Sequence, residues 1–163
     1  GKTEHLLTEI QGYQELLGSY FQTSVQQIAE WQNMPYEKNP KYPEHLIHKT
    51  ASGIYVRSKS ESMIALQLYT EKIPFRYECA LQLGETTLYP DFTILHPKTG
   101  EIFYWEHFGM MDEPHYYNKA FPKLQLYASY GIVPSVNLIT TYETKTHPLS
   151  SEVIEKIIEH YFK

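Results

Sequence analysis

Residues 88–108 read LYPDFTILHPKTGEIFYWEHF, and this stretch organises the rest of the chain. Pro97-Lys98-Thr99-Gly100 has turn chemistry, with Leu88, Phe92, Ile94 and Leu95 before it and Ile102, Phe103, Tyr104 and Trp105 after it. Both flanks have strand composition. A β-hairpin closed by those four residues sets His96 opposite Glu101. Counting back, Leu95 pairs with Ile102, Thr93 with Tyr104 and Asp91 with Glu106. Side chains alternate across a strand, so Asp91 and Glu106 share a face and oppose each other, their Cβ atoms roughly 4.5–5.5 Å apart. Like charges placed this way destabilise a hairpin unless something offsets them. A divalent cation shared by the two carboxylates does so. The alternatives are a register shifted by one residue, or two acids turned to solvent.

The 163 residues, 42% of them hydrophobic, suffice for one globular domain with a core plus an appendage. Fifteen tyrosines suggest amphipathic or stacking positions, or buried hydroxyls with partners. A net charge of −5 argues against coating nucleic acid by bulk electrostatics, so any such binding must be local. A single cysteine, Cys79, excludes an internal disulfide or cysteine-based zinc site and suits a reducing cytoplasm. No apolar run approaches the roughly 18 residues that span a bilayer, and no leader pattern is visible. A cytoplasmic protein without a membrane partner is the expectation.

Over residues 7–31, Leu7, Ile10, Gln14, Leu17, Phe21, Ser24, Ile28 and Trp31 alternate three and four apart, a helical stripe near a heptad repeat. It suits a helix docked on the domain behind it, or the seam of a homodimer or larger complex. Residues 34–43, MPYEKNPKYP, read as a linker, which sets domains of 1–43 and 44–163. Residues 44–50 suggest a short helix and residues 53–57 a short extended piece. Ser58 opens a further helix carrying Met63, Ile64, Leu66 and Leu68. Ser58 and Glu61 have the spacing of a capping box. Residues 75–83 read as one strand, Gly84-Glu85-Thr86 as a turn, and then comes the central hairpin. Asp112 can cap a helix with Pro114 in its first turn, and Pro122 should kink or split it. Residues 135–140 fit a buried strand. Ser150 or Ser151 caps a last helix with Val153, Ile154, Ile157, Ile158 and Tyr161 inward. After the linker the order is helix, three strands, helix, strand, helix.

The seven histidines other than His107 are scattered without ligand spacing, which argues against zinc. His107 falls on the strand face opposite Glu106, either as a satisfied structural histidine or as a ligand or proton shuttle. Arg57 and Lys59 near a helix start suit a backbone phosphate or plain solvent. Tyr116-Tyr117 admits a tyrosine-nucleophile reading, with no other sign of that chemistry.

Tyr89-Pro90-Asp91 followed by Glu106, fifteen positions on, resembles the PD-(D/E)xK nuclease superfamily. The resemblance implies an α/β fold: a restriction-endonuclease-like αβββαβ core with a mixed central sheet flanked by helices, here behind a long N-terminal helix. More narrowly, Trp105-Glu106-His107-Phe108-Gly109, then Tyr116 or Tyr117, Lys123 and Tyr127, is similar to nuclease domains found beside helicases and in mobile elements. The resemblance implies a deoxyribonuclease acting on DNA with Mg²⁺ or Mn²⁺. Asp91, Glu106, Glu61 and the main-chain carbonyl of His107 would be ligands, and Arg57, Lys59 and Tyr117 nucleic-acid contacts. Where the family pattern has lysine two residues after the acid, this chain has Phe108. Either Lys123 supplies the ammonium, with Lys59 a second candidate, or the domain is an inactive DNA-binding or assembly module of a larger recombination or restriction complex.

Overall fold

The computed structural model describes residues 25–163, which fall into two units divided between Pro35 and Tyr36. In the first, residues 25–33 form a helix, α1, in which Gln26 Nε2 donates to Glu30 Oε1 at 3.1 Å. The earlier part of the heptad stripe, and most of the dimer seam expected of it, lie outside the described residues.

The second unit begins eight residues before the expected boundary, because the Pro-rich stretch is hydrogen-bonded to the domain. Asn39 N donates to the Glu78 carbonyl and Ala80 N to the Glu37 carbonyl, with Lys38 and Cys79 bridged between them. A single 3-10 turn, Pro43–His45, replaces the short helix expected over 44–50. The strands β1 (His48–Lys49) and β2 (Tyr55–Val56) then pair antiparallel.

The order from there is α2 (Lys59–Thr70), β3 (Phe75–Tyr77), β4 (Leu81–Leu83), β5 (Thr86–Leu88), β6 (Phe92–Leu95), β7 (Ile102–Phe108), α3 (Pro114–Ser129), β8 (Leu138–Tyr142) and α4 (Ser151–Phe162). The main sheet runs β3-β6-β7-β8. Its first three strands are antiparallel, and β8 returns parallel to β7 after the α3 crossover, as a parallel neighbour requires. Leaving aside the small β4–β5 hairpin, this is a helix, three strands, a helix and a strand in one mixed α/β domain. Among the described residues no helix is long and apolar enough to cross a membrane.

The hairpin register is as the sequence reads: Leu95 pairs with Ile102, Thr93 with Tyr104 and Phe92 with Trp105, and His96 N donates to the Glu101 carbonyl. The single strand expected over 75–83 breaks at Glu78. That residue adopts a left-handed φ of 48°, a strained region for a side chain of this kind. Arg57 Nε, at 2.6 and 3.0 Å, and Asn39 Nδ2, at 2.9 Å, grip its carboxylate there. Beyond the break, β4 turns away from the sheet to pair with β5.

Two cores flank the sheet. On one face, Phe92, Ile94, Phe103 and Trp105 pack with Ile64, Ala65 and Leu68 of α2 and Ile154, Ile158 and Phe162 of α4. On the other, Tyr127 of α3 and Leu138 pack with Leu83 and Ile132, joined by the partly buried Tyr104 and Leu124. The alternation therefore turns odd positions of β6 and even positions of β7, Asp91 and Glu106 among them, toward α3. α3 stays a single helix through Pro122 instead of splitting. Its residues Ala120 and Tyr127 are buried, tertiary packing that outweighs the missing donor. Asp112 does not cap it: Glu113 is the N-cap residue, and Asp112 Oδ2 accepts from Lys145 N.

Candidate active site

Asp91 and Glu106 meet one step past the last assigned pair of the β6–β7 ladder. The Asp91 carbonyl accepts from Glu78 N on the β3 side, so Asp91 and Glu106 form a non-hydrogen-bonded pair, the kind whose side chains approach closest. Asp91 Oδ2 accepts from the main-chain N of His107 at 2.7 Å. Glu106, 2% exposed, presents Oε1 to the Tyr127 hydroxyl at 2.5 Å and to Lys123 Nζ at 2.9 Å. Neither Asp91 Oδ1 nor Glu106 Oε2 takes part in these bonds.

The electrostatics follow from that crowding. Burial, then the charge of Glu106, then that of Glu61 hold the Asp91 carboxyl well above its ordinary range, against the opposing pull of Lys123 and the His107 N–H. Burial works against the Lys123 ammonium, yet Glu106 and Asp91 outweigh it and its pKa is raised. Burial and the neighbouring Glu106 likewise raise the Tyr127 hydroxyl. With both acids ionised, two carboxylates against the one ammonium on Glu106 leave excess negative charge, which a bound cation relieves.

These groups open onto a pocket of about 190 Å³, lined among others by Phe108, Tyr116, Lys119 and Lys123. It is smaller than the roughly 300–1,000 Å³ that encloses a whole small-molecule ligand, and suits an ion and one polar group of a larger substrate. Tyr116 reaches this pocket, its hydroxyl accepting from Gly109 N at 3.0 Å, whereas Tyr117 is exposed on α3. Of the tyrosine pair, the inward residue is therefore Tyr116. A larger hollow of about 340 Å³ beside Tyr36, Leu46 and Ile54 contains none of the expected site residues.

Glu61 stands apart. It caps α2 reciprocally: Ser58 Oγ accepts from Glu61 N at 3.1 Å and donates to Glu61 Oε2 at 2.5 Å, while the Tyr77 hydroxyl donates to Oε1 at 2.8 Å. Both Glu61 oxygens are thus engaged, in the cap and with Tyr77, and its charge bears on Asp91 through space. Among the described residues no group of three or more His, Cys, Asp and Glu is arranged to hold a metal ion. A cation here would rest on Asp91 and Glu106 with main-chain oxygen and water. Arg57 is withdrawn from the expected phosphate contact, since its guanidinium binds Glu78 and the carbonyls of Tyr42 and Lys41 at 2.7 and 2.6 Å. Lys59 is exposed beside a second hollow, at Ser58 and Glu143, not in the Asp91 pocket.

The His107 ring lies on the α2 side. Its Nδ1 is 2.7 Å from Thr141 Oγ1 and its Nε2 is 2.6 Å from Glu143 Oε1. It is thus a satisfied buried histidine whose side chain points away from the carboxylate pair. Thr141 and Glu143 escaped sequence reasoning because only the parallel pairing of β8, His107 beside Thr141, brings them near. Their i, i+2 spacing at the end of an apolar run was the available signal. Comparison with family models, with curated proteins and with solved structures yields no match to this chain, so a functional reading has to come from the residues themselves.

Proposed function

We propose that this chain is a metal-dependent deoxyribonuclease of the PD-(D/E)xK, restriction-endonuclease-like type, acting on DNA with Mg²⁺ or Mn²⁺. The observation that carries the reading is the opposed pair Asp91–Glu106, one oxygen of each fixed by the protein and Lys123 on Glu106, lining one pocket. The helix, three-strand, helix, strand order and the mixed sheet fit it.

Hard carboxylate oxygens suit Mg²⁺ and Mn²⁺, and Asp91, Glu106 and the residue-107 carbonyl would hold the ion. When bound, it would supply charge neutralisation at the scissile phosphate and acidify a water. The chain's own residues do the rest. Tyr127 and Lys123 fix Glu106 Oε1 and leave Oε2 outside those bonds. Lys123, kept protonated by its two acidic neighbours, acts as a donor that orients the water and holds charge developing on the phosphate, instead of as the base that removes a proton. Tyr116, with its oxygen already accepting from Gly109 N, has its hydroxyl hydrogen for a phosphate oxygen.

A second reading, an inactive DNA-binding or assembly module of the same fold, is favoured by one observation: among the described residues no set of three metal-ligating side chains converges. Cleavage of DNA by the purified protein with Mg²⁺ or Mn²⁺ separates the two. The first reading expects cleavage that Glu106→Gln lowers at least 100-fold and Lys123→Ala at least tenfold. Cleavage indifferent to Glu106→Gln removes the site. A Lys123→Ala rate within about threefold, under about 1 kcal/mol of barrier, removes the lysine.

A further inference from the structure

The peptide at residue 107 is held from both faces of the sheet, and we infer that the His107 ring is a positioning residue for the Asp91–Glu106 pair, an inference that rests on the function proposed for that pair. The backbone directions come from neighbouring bonds. Tyr104 N donates to the Asn137 carbonyl and the Phe108 carbonyl accepts from Glu143 N, so even positions of β7 turn their main chain toward β8 and odd positions toward β6. The N–H and C=O of His107 therefore face the β6 edge. β6 begins at Phe92, so the ladder has ended there, and the Asp91 carboxylate takes the N–H at 2.7 Å. The carbonyl of the same residue leaves along the same edge. Any tilt of this one residue moves the aspartate and the main-chain oxygen together.

The ring resists that tilt through bonds that reach β8, α2 and the segment ahead of α4. Trp105 Nε1 can only donate, so Thr141 Oγ1 accepts from it at 3.1 Å. His107 Nε2–H donates to the Glu143 carboxylate at Oε1, and His107 Nδ1 pairs with the Thr141 hydroxyl. Glu143 is itself fixed by Ser60 Oγ of α2 at 2.5 Å and by Leu149 N, ahead of α4, at 3.1 Å. Every polar atom in this arrangement is satisfied.

Glu143 lies away from the pocket, so substituting it tests positioning without touching the carboxylate pair. In Glu143→Ala the residue-107 amide proton is expected to move in nuclear magnetic resonance spectra toward its position in Asp91→Asn. The Mn²⁺ dissociation constant should rise at least tenfold, while kcat at saturating Mn²⁺ changes less than threefold. Glu143→Gln, which keeps an acceptor for Nε2–H, should return both values to within threefold of the parent. A folded Glu143→Ala with parental amide position and Mn²⁺ affinity overturns the inference. If Glu143→Ala does not fold, Thr141→Val supplies the same amide reading, and no movement in it overturns the inference. If the parent protein binds no Mn²⁺, the proposed function fails, and the amide position alone still decides the role of the ring.

Discussion

Asp91 carries its carboxyl among other buried acids. Its carboxyl is raised by burial first, then by Glu106 and Glu61, so the folded chain holds that proton above the unfolded value of about 3.9. Between the two values the native state binds more protons than the unfolded one, and stability falls as pH rises through the window. Above the folded value the penalty is complete. Asp91→Asn should therefore raise the melting temperature of the metal-free protein at pH 8 by at least the 2–4 °C that about 1 kcal/mol produces at this size. The gain should shrink toward pH 4, as scanning calorimetry across pH would read. A variant less stable than the parent at pH 8 contradicts the strained pair. The opposition of Asp91 and Glu106 was legible because alternation and one turn fix it. The engagement of Glu61 with Tyr77 and of Arg57 with Glu78 was not, since both bonds span about twenty residues or less of chain that only the folded strands bring together.

Elements with strong local signals were read well: the turn at Pro97–Gly100, the Ser58 cap of α2 and the Ser150 cap of α4. Ser58 does two jobs, accepting from Glu61 N and donating to its buried carboxylate. Ser58→Ala should cost about 1 kcal/mol for the cap and about 1–3 kcal/mol in all once Glu61 loses a donor. Urea unfolding would measure it, and a loss under about 0.5 kcal/mol would contradict the reciprocal cap. What local signals missed was set by tertiary bonds. Residues 75–83 alternate like one strand, yet Arg57 and Asn39 hold Glu78 out of line. Asp112 has the chemistry of a cap, yet the chain before α4 claims its carboxylate.

At the scale of the whole molecule, in a chain of net charge −5, the cations lining the pocket among the described residues are Lys119 and Lys123, with Lys59 beside a separate hollow. Two or three phosphate contacts give a slope of about −2 to −3 in a plot of log affinity against log salt for duplex DNA. A much steeper slope would place the binding surface elsewhere. The order of elements was legible because each follows from its own apolar period. The parallel return of β8 supplied what the sequence left out, the Thr141 and Glu143 partners behind β7. The central claim is that Asp91 and Glu106 share one ion, and a crystal soaked in Mn²⁺ and read by anomalous scattering tests it most directly. The expected result is a single peak about 2.1 Å from an oxygen of each carboxylate; no peak between them, with the two side chains turned apart, would contradict it.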